Sequence, residues 1–454
     1  MDSDWFEGLR GMVGTQNLIS NEQSLEPYLD VVNRDTLGVY PTSRDFVVVK
    51  PEDTAMVAKV VRFAAKNRTA IVARGAGTGR EGGTLPVSRS IVLDFTLMSR
   101  IIGVDVVNGL VTAQPGITLE ALETRLNERG LSIGQGPDHA CLGGSISTNS
   151  LGQRSSHFGD MRNVVADLET VIGDGKVIHT GRPVWRNNTG YDLNQLLIGS
   201  EGTLGAVTAA TLRTGPKPER SLLRMYLFKK PLKDVTEVAR AIESSFFPMG
   251  NRVDDEKRND SDFSSVRVMF EGKKEIVDLQ SSLCDELAEQ RGGKVVPNSV
   301  VAALVKRRRG SAFRKSLSAT ETRSVAEEVA LKFSGWTHSL ARWKELCKRY
   351  RIDYGGCQLN ISYPGIVTFY AEYAIGGSRG AKAYGRLMQK FYAFVIANDG
   401  SFSSTHGVGI RLRDYMGAQY SKEYLDILLR VKRAFDPLNI FNPTKVIQMT
   451  SVKG

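Results

Sequence analysis

Glycines mark the part of the chain best suited to hold an anion. Gly75, Gly77 and Gly79 follow a predicted strand. Glycine permits a positive φ and lets backbone N–H groups approach a phosphate closely. The spacing is not the GxGxxG of a dinucleotide fold, because Arg80 stands where the third glycine belongs, and no Gly-Lys-Ser/Thr follows as in a P-loop. The segment therefore predicts a pyrophosphate cradle, with a purely structural glycine-rich turn as the alternative.

Histidine and cysteine, the residues of metal and redox sites, are few and scattered. The four cysteines form no CxxC pair, and no two of the five histidines lie three to five residues apart. This spacing argues against zinc, iron–sulfur and thioredoxin-like chemistry. Cysteines without a disulfide framework are typical of a reducing compartment.

Three further segments accompany the glycine loop. They are 137–149 (PDHACLGGSISTN), 192–205 (DLNQLLIGSEGTLG) and 436–446 (DPLNIFNPTKV). In this order the four segments resemble the vanillyl-alcohol-oxidase type of FAD-binding flavoproteins, over nearly the whole chain from about Leu25 to Ile447. Within that superfamily the chain resembles the branch of the glycolate oxidase subunit, D-lactate dehydrogenase and alkyl-dihydroxyacetonephosphate synthase. The resemblance implies FAD as the cofactor.

The resemblance also implies cofactor contacts. The family's pyrophosphate loop corresponds to Gly75, Ala76, Gly77, Thr78 and Gly79, and the segment along the ribityl chain corresponds to Gly143, Gly144, Ser147 and Thr148. The start of the strand beside the adenosine half corresponds to Glu201, Gly202 and Val207, and the asparagine that returns to the isoalloxazine to Asn442. Because the cradle contains no histidine or cysteine, we expect FAD to be non-covalent, with a link to His139 or Cys141 as the alternative.

His406 is the catalytic candidate, since it matches the family histidine in a glycine-flanked loop near the flavin ring. A neutral imidazole can take a hydroxyl proton while hydride leaves for flavin N5. The guanidinium fork suits a carboxylate or phosphate substrate. Candidates for that contact are Arg252, Arg314, Arg411 and Arg413, with Arg411 and Arg413 closest in sequence to His406, and Tyr363 as a hydrogen-bonding or packing residue.

Many D-2-hydroxyacid dehydrogenases of this branch bind a divalent metal through a histidine-rich strand. The matching stretch 358–366 has no histidine or carboxylate, so no catalytic metal is predicted. The predicted activity is FAD-dependent oxidation of the CH–OH group of a hydroxy acid or related alcohol, with a carrier protein, quinone or oxygen as electron acceptor. Thr405 fits neither branch's pattern. The alternatives are alkyl transfer without net redox, as in ether-lipid synthases, and an FAD subunit of a larger complex.

Strands alternating with helices must position these segments. Candidate strands are 46–49, 70–73, 91–94, 110–113, 168–172, 206–212, 266–270 and 367–373. Helical periodicity predicts a helix over 52–67, and Thr118 and Ser421 are predicted N-caps of two more. The polar segment 251–265 is predicted to be a loop.

This pattern predicts an α+β fold with two domains. The family resemblance implies that residues 1–217, with a core at about 42–217, form a PCMH-type FAD-binding domain. It implies that residues 218–395 form a cap or substrate domain of the FAD-linked-oxidase type, with an antiparallel sheet and flanking helices, and that 396–454 return to the FAD domain. We expect the active site between the two domains, where pockets commonly form.

Composition limits the remaining possibilities. The 454 residues are 41% hydrophobic and 24% charged, which is typical of globular domains and excludes wholesale disorder. The acidic start and the lack of a long apolar run favour a cytoplasmic protein. The net charge of +11 favours anionic partners but does not choose among phosphates, acids, a membrane surface and nucleic acid. The basic run 306–309 lacks a nucleic-acid module, so the expected partner is a small anionic substrate and not nucleic acid. A homodimer and peripheral contact with the inner face of a membrane stay open.

Overall fold

The computed structural model describes residues 3–29, 42–136, 139–152, 154–259, 261–311, 322–362, 365–374 and 378–448. Its strands are β1 Leu18–Ile19, β2 Phe46–Val49, β3 Ala70–Arg74, β4 Ser90–Asp94, β5 Ile101–Asp105, β6 Leu110–Ala113, β7 Leu131–Ser132, β8 Val165–Val171, β9 Val177–His179, β10 Ala206–Arg213, β11 Gly215–Pro216, β12 Arg220–Phe228, β13 Gly250–Asp254, β14 Ser264–Gly272, β15 Lys294–Val295, β16 Thr322–Ala330, β17 Asp353–Asn360 and β18 Ile366–Ala374.

The helices complete a mixed architecture. They are α1 Ser3–Val13, α2 Glu22–Leu29, α3 Thr54–Lys66, α4 Leu119–Asn127, α5 Leu142–Ser147, α6 Ser155–Phe158, α7 Met161–Val164, α8 Asn194–Leu197, α9 Leu232–Phe246, α10 Glu256–Asn259, α11 Lys274–Gln290, α12 Asn298–Ser311, α13 Trp336–Tyr350, α14 Ser378–Ala397, α15 Met416–Gln419 and α16 Lys422–Phe435. The predicted α+β class is confirmed. None of the described helices combines the length and the apolar character needed to cross a bilayer.

The chain divides into two compact units. The first comprises Met1–Gly152, Phe158–Pro216 and Thr405–Gly454, and the second comprises Gln153–His157 and Lys217–Ser404. The late return of the chain to the first unit brings the segment that carries His406 into the same unit as the early glycine loop.

Two larger sheets and the two-stranded pair of β7 and β11 build the described part of the first unit. The four-stranded sheet has the order β1-β2-β4-β3, with β2, β4 and β3 parallel, and the five-stranded antiparallel sheet has the order β5-β6-β10-β8-β9. Helix α3 makes the crossover that the parallel strands require, and its face of Val57, Val60 and Val61 is fully buried against that sheet's core. This sheet delivers the glycine loop at the end of β3.

The predicted helix starts are confirmed by their caps. The Thr118 hydroxyl accepts the Ala121 N–H at 3.2 Å, and the Ser421 hydroxyl accepts the Tyr424 N–H at 3.3 Å. Each cap satisfies one of the N–H groups left unpaired at the first turn of a helix. The late helix ends at Phe435, before Asp436 and Pro437, as expected.

The second unit is built on a seven-stranded antiparallel sheet of order β15-β12-β14-β13-β17-β18-β16. The prediction of a loop over 251–265 is wrong, because this stretch contains most of β13, helix α10 and the start of β14. The buried charge of Asp254 is neutralised inside the sheet, where the Arg267 Nε donates to it at 2.9 Å. A polar sequence can therefore form an interior strand when a neighbouring strand supplies the counter-charge.

Candidate active site

The glycine loop that follows β3 presents a row of backbone donors. Gly77 has a φ of +70°, and within the described residues the N–H groups of residues 77–80 donate to no other residue. The Arg74 guanidinium lies against Gly77 so closely that a Cβ there would overlap it. Unpaired N–H groups beside a cation are the chemistry that a pyrophosphate requires. Arg74 was not among the predicted site residues.

The glycine loop and the segments 137–149, 192–205 and 436–446 are the first to fourth motifs in chain order. Helix α5 lies in the second motif and packs against the glycine loop. A Cβ built on Gly75 would lie 2.8 Å from the Cβ of Cys141, the N-cap of α5. A Cβ built on Gly79 or on Gly144 would meet no described atom within 4 Å, so open space adjoins both glycines. The buried Ser145 hydroxyl has no hydrogen-bond partner among the described residues. Burial raises the pKa of the Cys141 thiol, which disfavours the thiolate.

Glu201 joins the second and third motifs through its backbone. Its φ is +53°, and its N–H donates to the Ser147 carbonyl at 2.8 Å, while the Gly199 N–H donates to the Ile146 carbonyl at 3.0 Å. Gly202, whose φ is +68°, lies against the strand before the glycine loop, since a Cβ there would be 3.4 Å from that of Ala73.

The side chain of Glu201 reaches the segment that carries His406. Its two carboxylate oxygens accept the N–H groups of Val408 at 2.6 Å and Gly409 at 2.8 Å. Gly407 passes beside the same carboxylate with a φ of +79°, and a Cβ there would lie 2.6 Å from Glu201 Oε1. His406 itself is half-buried and belongs to the first unit.

The C-terminal motif ties the other segments together. The Asn442 side-chain amide, from a backbone with a φ of +45°, donates to the carbonyls of Gly83 at 2.9 Å and Glu201 at 2.8 Å. The Lys445 ammonium donates to the Gly83 carbonyl at 2.9 Å, to the Asn442 Oδ1 at 2.8 Å and to the Leu85 carbonyl. Asn442 and Lys445 thus fix the end of the glycine loop to the turn at Glu201.

Burial perturbs the two ionisable groups at this junction. Loss of solvation raises the pKa of Glu201 to about 7, against the lowering effect of the Val408 and Gly409 N–H groups. Loss of solvation also lowers the pKa of Lys445 to about 7, and the negative charge of Glu201 opposes that shift. Each group therefore makes the charged form of the other less unfavourable.

Arg411, a predicted substrate-binding residue, forms a buried ion pair with Glu81. The backbone is joined at the same place, because the Glu81 carbonyl accepts the N–H groups of Ile410 at 2.9 Å and Arg411 at 3.2 Å. The pair fixes the segment after His406 to the glycine loop. Substrate contact by Arg411 stays a prediction.

The remaining predicted residues fall in different places. Arg252 lies half-buried on β13 of the second unit, where its Cα partners are Arg267 of β14 and Asn360 of β17. Tyr363 and Arg314 lie outside the described residues. The predicted cofactor residues all belong to the first unit: Gly75, Ala76, Gly77, Thr78, Gly79, Gly143, Gly144, Ser147, Thr148, Glu201, Gly202, Val207 and Asn442.

The sheet of the second unit has a polar row that the sequence analysis did not identify. Asp254, Gln358, Thr368 and Glu328 are successive cross-strand partners and therefore share one face. The Thr368 hydroxyl donates to Glu328 at 3.1 Å, and the Ser404 hydroxyl donates to it at 2.9 Å. The alternation of Gln358 and Asn360 with buried Cys357 and Leu359 is the sequence signal that could have revealed this face.

The arrangement in the first unit fits an elongated ligand with adjacent phosphates. Among the residues that the structure describes, N–H groups without a partner, the Arg74 guanidinium, the unpartnered Ser145 hydroxyl and open space beside Gly79 and Gly144 occur in segments that contact one another. Such a ligand needs donors for its phosphate oxygens and small residues along its length.

Comparison with known proteins decides the identity of that ligand. Residues 46–181 match the FAD binding domain family, and residues 244–446 match the FAD linked oxidases, C-terminal domain. The chain belongs to the FAD-linked oxidase family. Its cofactor is FAD, and the protein is an FAD-dependent oxidoreductase. Non-covalent attachment stays a prediction.

Relatives of this FAD-linked oxidase cover most of its length. It is 27% identical to the D-lactate dehydrogenase of Archaeoglobus fulgidus, over 89% of this chain and 92% of the relative. It is 26% identical to the glycolate oxidase subunit GlcD of Bacillus subtilis, over 92% of both chains. A solved structure of alkyldihydroxyacetonephosphate synthase is 19% identical in sequence, with a TM-score of 0.80. The match covers 98% of this chain and 86% of the synthase chain. That last similarity shows the fold alone.

Proposed function

We propose that this oxidoreductase oxidises the CH–OH group of a small hydroxy acid such as D-lactate or glycolate, with His406 as the general base. The observation that carries the proposal is the network around Glu201. This residue joins the second and third flavin motifs through its backbone and holds the segment next to His406 through its carboxylate. The names of the two curated relatives support a hydroxy acid as the substrate.

Each part of the chain has a distinct role in this proposal. Bound FAD supplies a hydride acceptor, and the protein supplies orientation and proton transfer. The neutral imidazole of His406 accepts the proton of the substrate hydroxyl, which must leave as the C–H bond breaks. Arg252 binds the substrate carboxylate through its guanidinium fork. Alkyl transfer without net redox is supported only by a likeness of fold.

Anaerobic addition of substrate to the FAD-loaded protein tests the proposal. D-Lactate or glycolate is expected to bleach the absorbance of the oxidised flavin, whereas polyols and sugar acids are expected to act slowly or not at all. If no hydroxy acid bleaches the flavin and an acyl-phosphate substrate turns over instead, the proposed reaction is wrong. If a hydroxy acid does bleach the flavin, the rates at which oxygen, a quinone and a carrier protein reoxidise the enzyme identify the electron acceptor.

A histidine variant tests the general base. His406→Gln is expected to retain FAD and to slow flavin reduction by about 10²- to 10⁴-fold, the usual contribution of general base catalysis. His179→Gln is the matched control, because this exposed histidine pairs with Asp167 at 2.7 Å outside all four motifs. Equal reduction rates in the two variants would exclude His406 as the base.

The proposal extends to partners and location. The enzyme acts in the cytoplasm, either alone or as the FAD-carrying subunit of a larger complex, and its basic charge serves contact with an anionic membrane surface. Mass measurement in solution distinguishes monomer, homodimer and complex, and sedimentation with anionic vesicles tests the membrane contact. Failure of the protein to sediment with such vesicles at low salt would refute the membrane contact.

A further inference from the structure

We propose that Glu201 is a positioning residue for catalysis: its carboxylate holds the backbone at Val408 and Gly409 and thereby sets the place of His406. This inference rests on the proposed function, in which His406 is the base. It gives Glu201 a role different from the cofactor contact that the family resemblance implies.

The hydrogen bonds fix both the position and the orientation of the loop. Each carboxylate oxygen of Glu201 accepts one of two consecutive backbone N–H groups, Val408 at 2.6 Å and Gly409 at 2.8 Å. Bonds from a carboxylate to N–H groups are charge-assisted and are roughly twice as strong as neutral ones. Glu201 is only 8% exposed, so water does not replace a lost bond easily. The two bonds begin two residues after His406.

The backbone of Glu201 is itself held by its neighbours. It adopts a left-handed conformation, its N–H donates to the Ser147 carbonyl, and its carbonyl accepts the Asn442 side-chain amide. The loop in turn is shaped to receive it, since Gly407 passes beside the carboxylate with no room for a Cβ. The Glu201 carboxylate is therefore a fixed acceptor, and Gly407 allows the loop to approach it.

The cost of burying this charge argues for a geometric role. Buried charges stabilise a fold poorly compared with apolar packing of the same volume. Here Lys445, only 1% exposed, supplies a compensating charge while it binds the carbonyls of Gly83 and Leu85. Two directional bonds to adjacent N–H groups place a loop more narrowly than apolar contacts do, because hydrogen bonds depend on angle as well as distance.

The test compares Glu201→Gln with a matched control. The carboxamide keeps the shape of the side chain but presents an NH₂ group to one of the two N–H donors. Hydrogen exchange of the peptide containing residues 405–410 is expected to accelerate by about tenfold or more, in the FAD-free as well as the loaded protein. Glu123→Gln is the control, since Glu123 accepts the Ile133 N–H at 3.0 Å elsewhere in the same unit. It is expected to leave exchange at 405–410 unchanged.

Kinetics supply the second measurement. Glu201→Gln is expected to slow anaerobic flavin reduction by about 10²-fold, the usual effect of displacing a catalytic group by about 1 Å. FAD content and the apparent dissociation constant for substrate are expected to change by less than about threefold, because neither contact is removed. Loss of FAD with unchanged exchange at 405–410 would overturn the inference and favour the cofactor contact.

A second variant covers the case in which Glu201→Gln does not fold. Gly407→Ala keeps the carboxylate but pushes the loop away from it, and is expected to raise exchange at 405–410 and slow reduction in the same way. Wild-type exchange and rate in Gly407→Ala would overturn the inference. If His406→Gln reduces flavin at the wild-type rate while Glu201→Gln still accelerates exchange at 405–410, the proposed function is wrong. Only the conclusion that Glu201 holds this loop then stands.

Discussion

Replacing Arg411 by methionine distinguishes two roles for this arginine, the ion pair with Glu81 and contact with the substrate. The side chains of Arg411 and Glu81 are 9% and 4% exposed, and they pair with each other. Arg411→Met leaves the Glu81 carboxylate buried without its partner. The backbone bonds from Ile410 and Arg411 to the Glu81 carbonyl do not depend on the side chain. The loss therefore reports contacts of the side chain, among them the ion pair with Glu81.

The expected magnitude follows from burial. Removing one partner of a buried pair costs about 3–5 kcal/mol, since the remaining charge is uncompensated. At about 2–4 °C per kcal/mol for a domain of this size class, the melting temperature should fall by about 6–20 °C. Arg44→Met is the matched control, because Arg44 is 59% exposed and its bond to Glu26 spans 3.0 Å at the surface. Its effect should stay below about 1 kcal/mol.

Thermal and denaturant unfolding of the FAD-free protein measure both variants. A double variant, Glu81→Met with Arg411→Met, is expected to recover most of the lost stability because no unpaired charge remains. A fall of less than about 2 °C in Arg411→Met, together with a weaker apparent affinity for substrate, would refute the ion-pair reasoning. That result would support the substrate contact that the sequence predicts.

Three further predictions concern other parts of the first unit. Gly79→Ala should leave the stability of the FAD-free protein within about 0.5 kcal/mol but weaken FAD binding by about tenfold or more, because its Cβ would enter the open space proposed to hold the cofactor. Gly11→Ala, on an open helix face, should not weaken FAD binding in the same titration. Lys432→Met should destabilise the unit by about 3–5 kcal/mol in denaturant unfolding, since it leaves buried Asp436 unpaired. The free energy of unfolding should fall as pH rises from about 4.5 to about 7, because the pKa of Glu201 is raised in the folded state and the stabilisation by its neutral form is lost through that interval. Glu201→Gln should flatten this slope, and an unchanged slope would contradict a raised pKa for Glu201.

Local pattern was sufficient for six strands of the first unit, whereas β1, β5, β7, β9 and β11 were not predicted. The strands predicted at 46–49 and 110–113 match β2 and β6 residue for residue, and the other predicted strands differ by a few residues at their ends. These strands are short, apolar and bounded by turn residues, so their own composition determines them. In β13 the reverse holds, because the buried Asp254 carboxylate depends on the guanidinium of Arg267, which the neighbouring strand β14 supplies.

The site network was harder to predict because its contacts are remote in sequence. The Glu201 carboxylate bonds to a residue 207 positions later, and Arg411 pairs with Glu81 across 330 positions. No periodicity connects such residues, and family resemblance assigns a role to a position rather than to the direction of its side chain. The glycines were easier to identify, since their lack of a side chain is itself the functional property.

The behaviour of Glu201 shows how a motif residue can serve two purposes. Its backbone adopts a positive φ that directs the turn against Ser147, and this conformation costs a non-glycine residue roughly 1 kcal/mol or more. A glycine would adopt the same turn without that cost, so the turn alone does not explain an acid at this position. The two bonds to Val408 and Gly409 do explain it, because only a side chain with two acceptor oxygens reaches both donors. The acid therefore couples the geometry of the flavin-binding turn to the loop that carries His406.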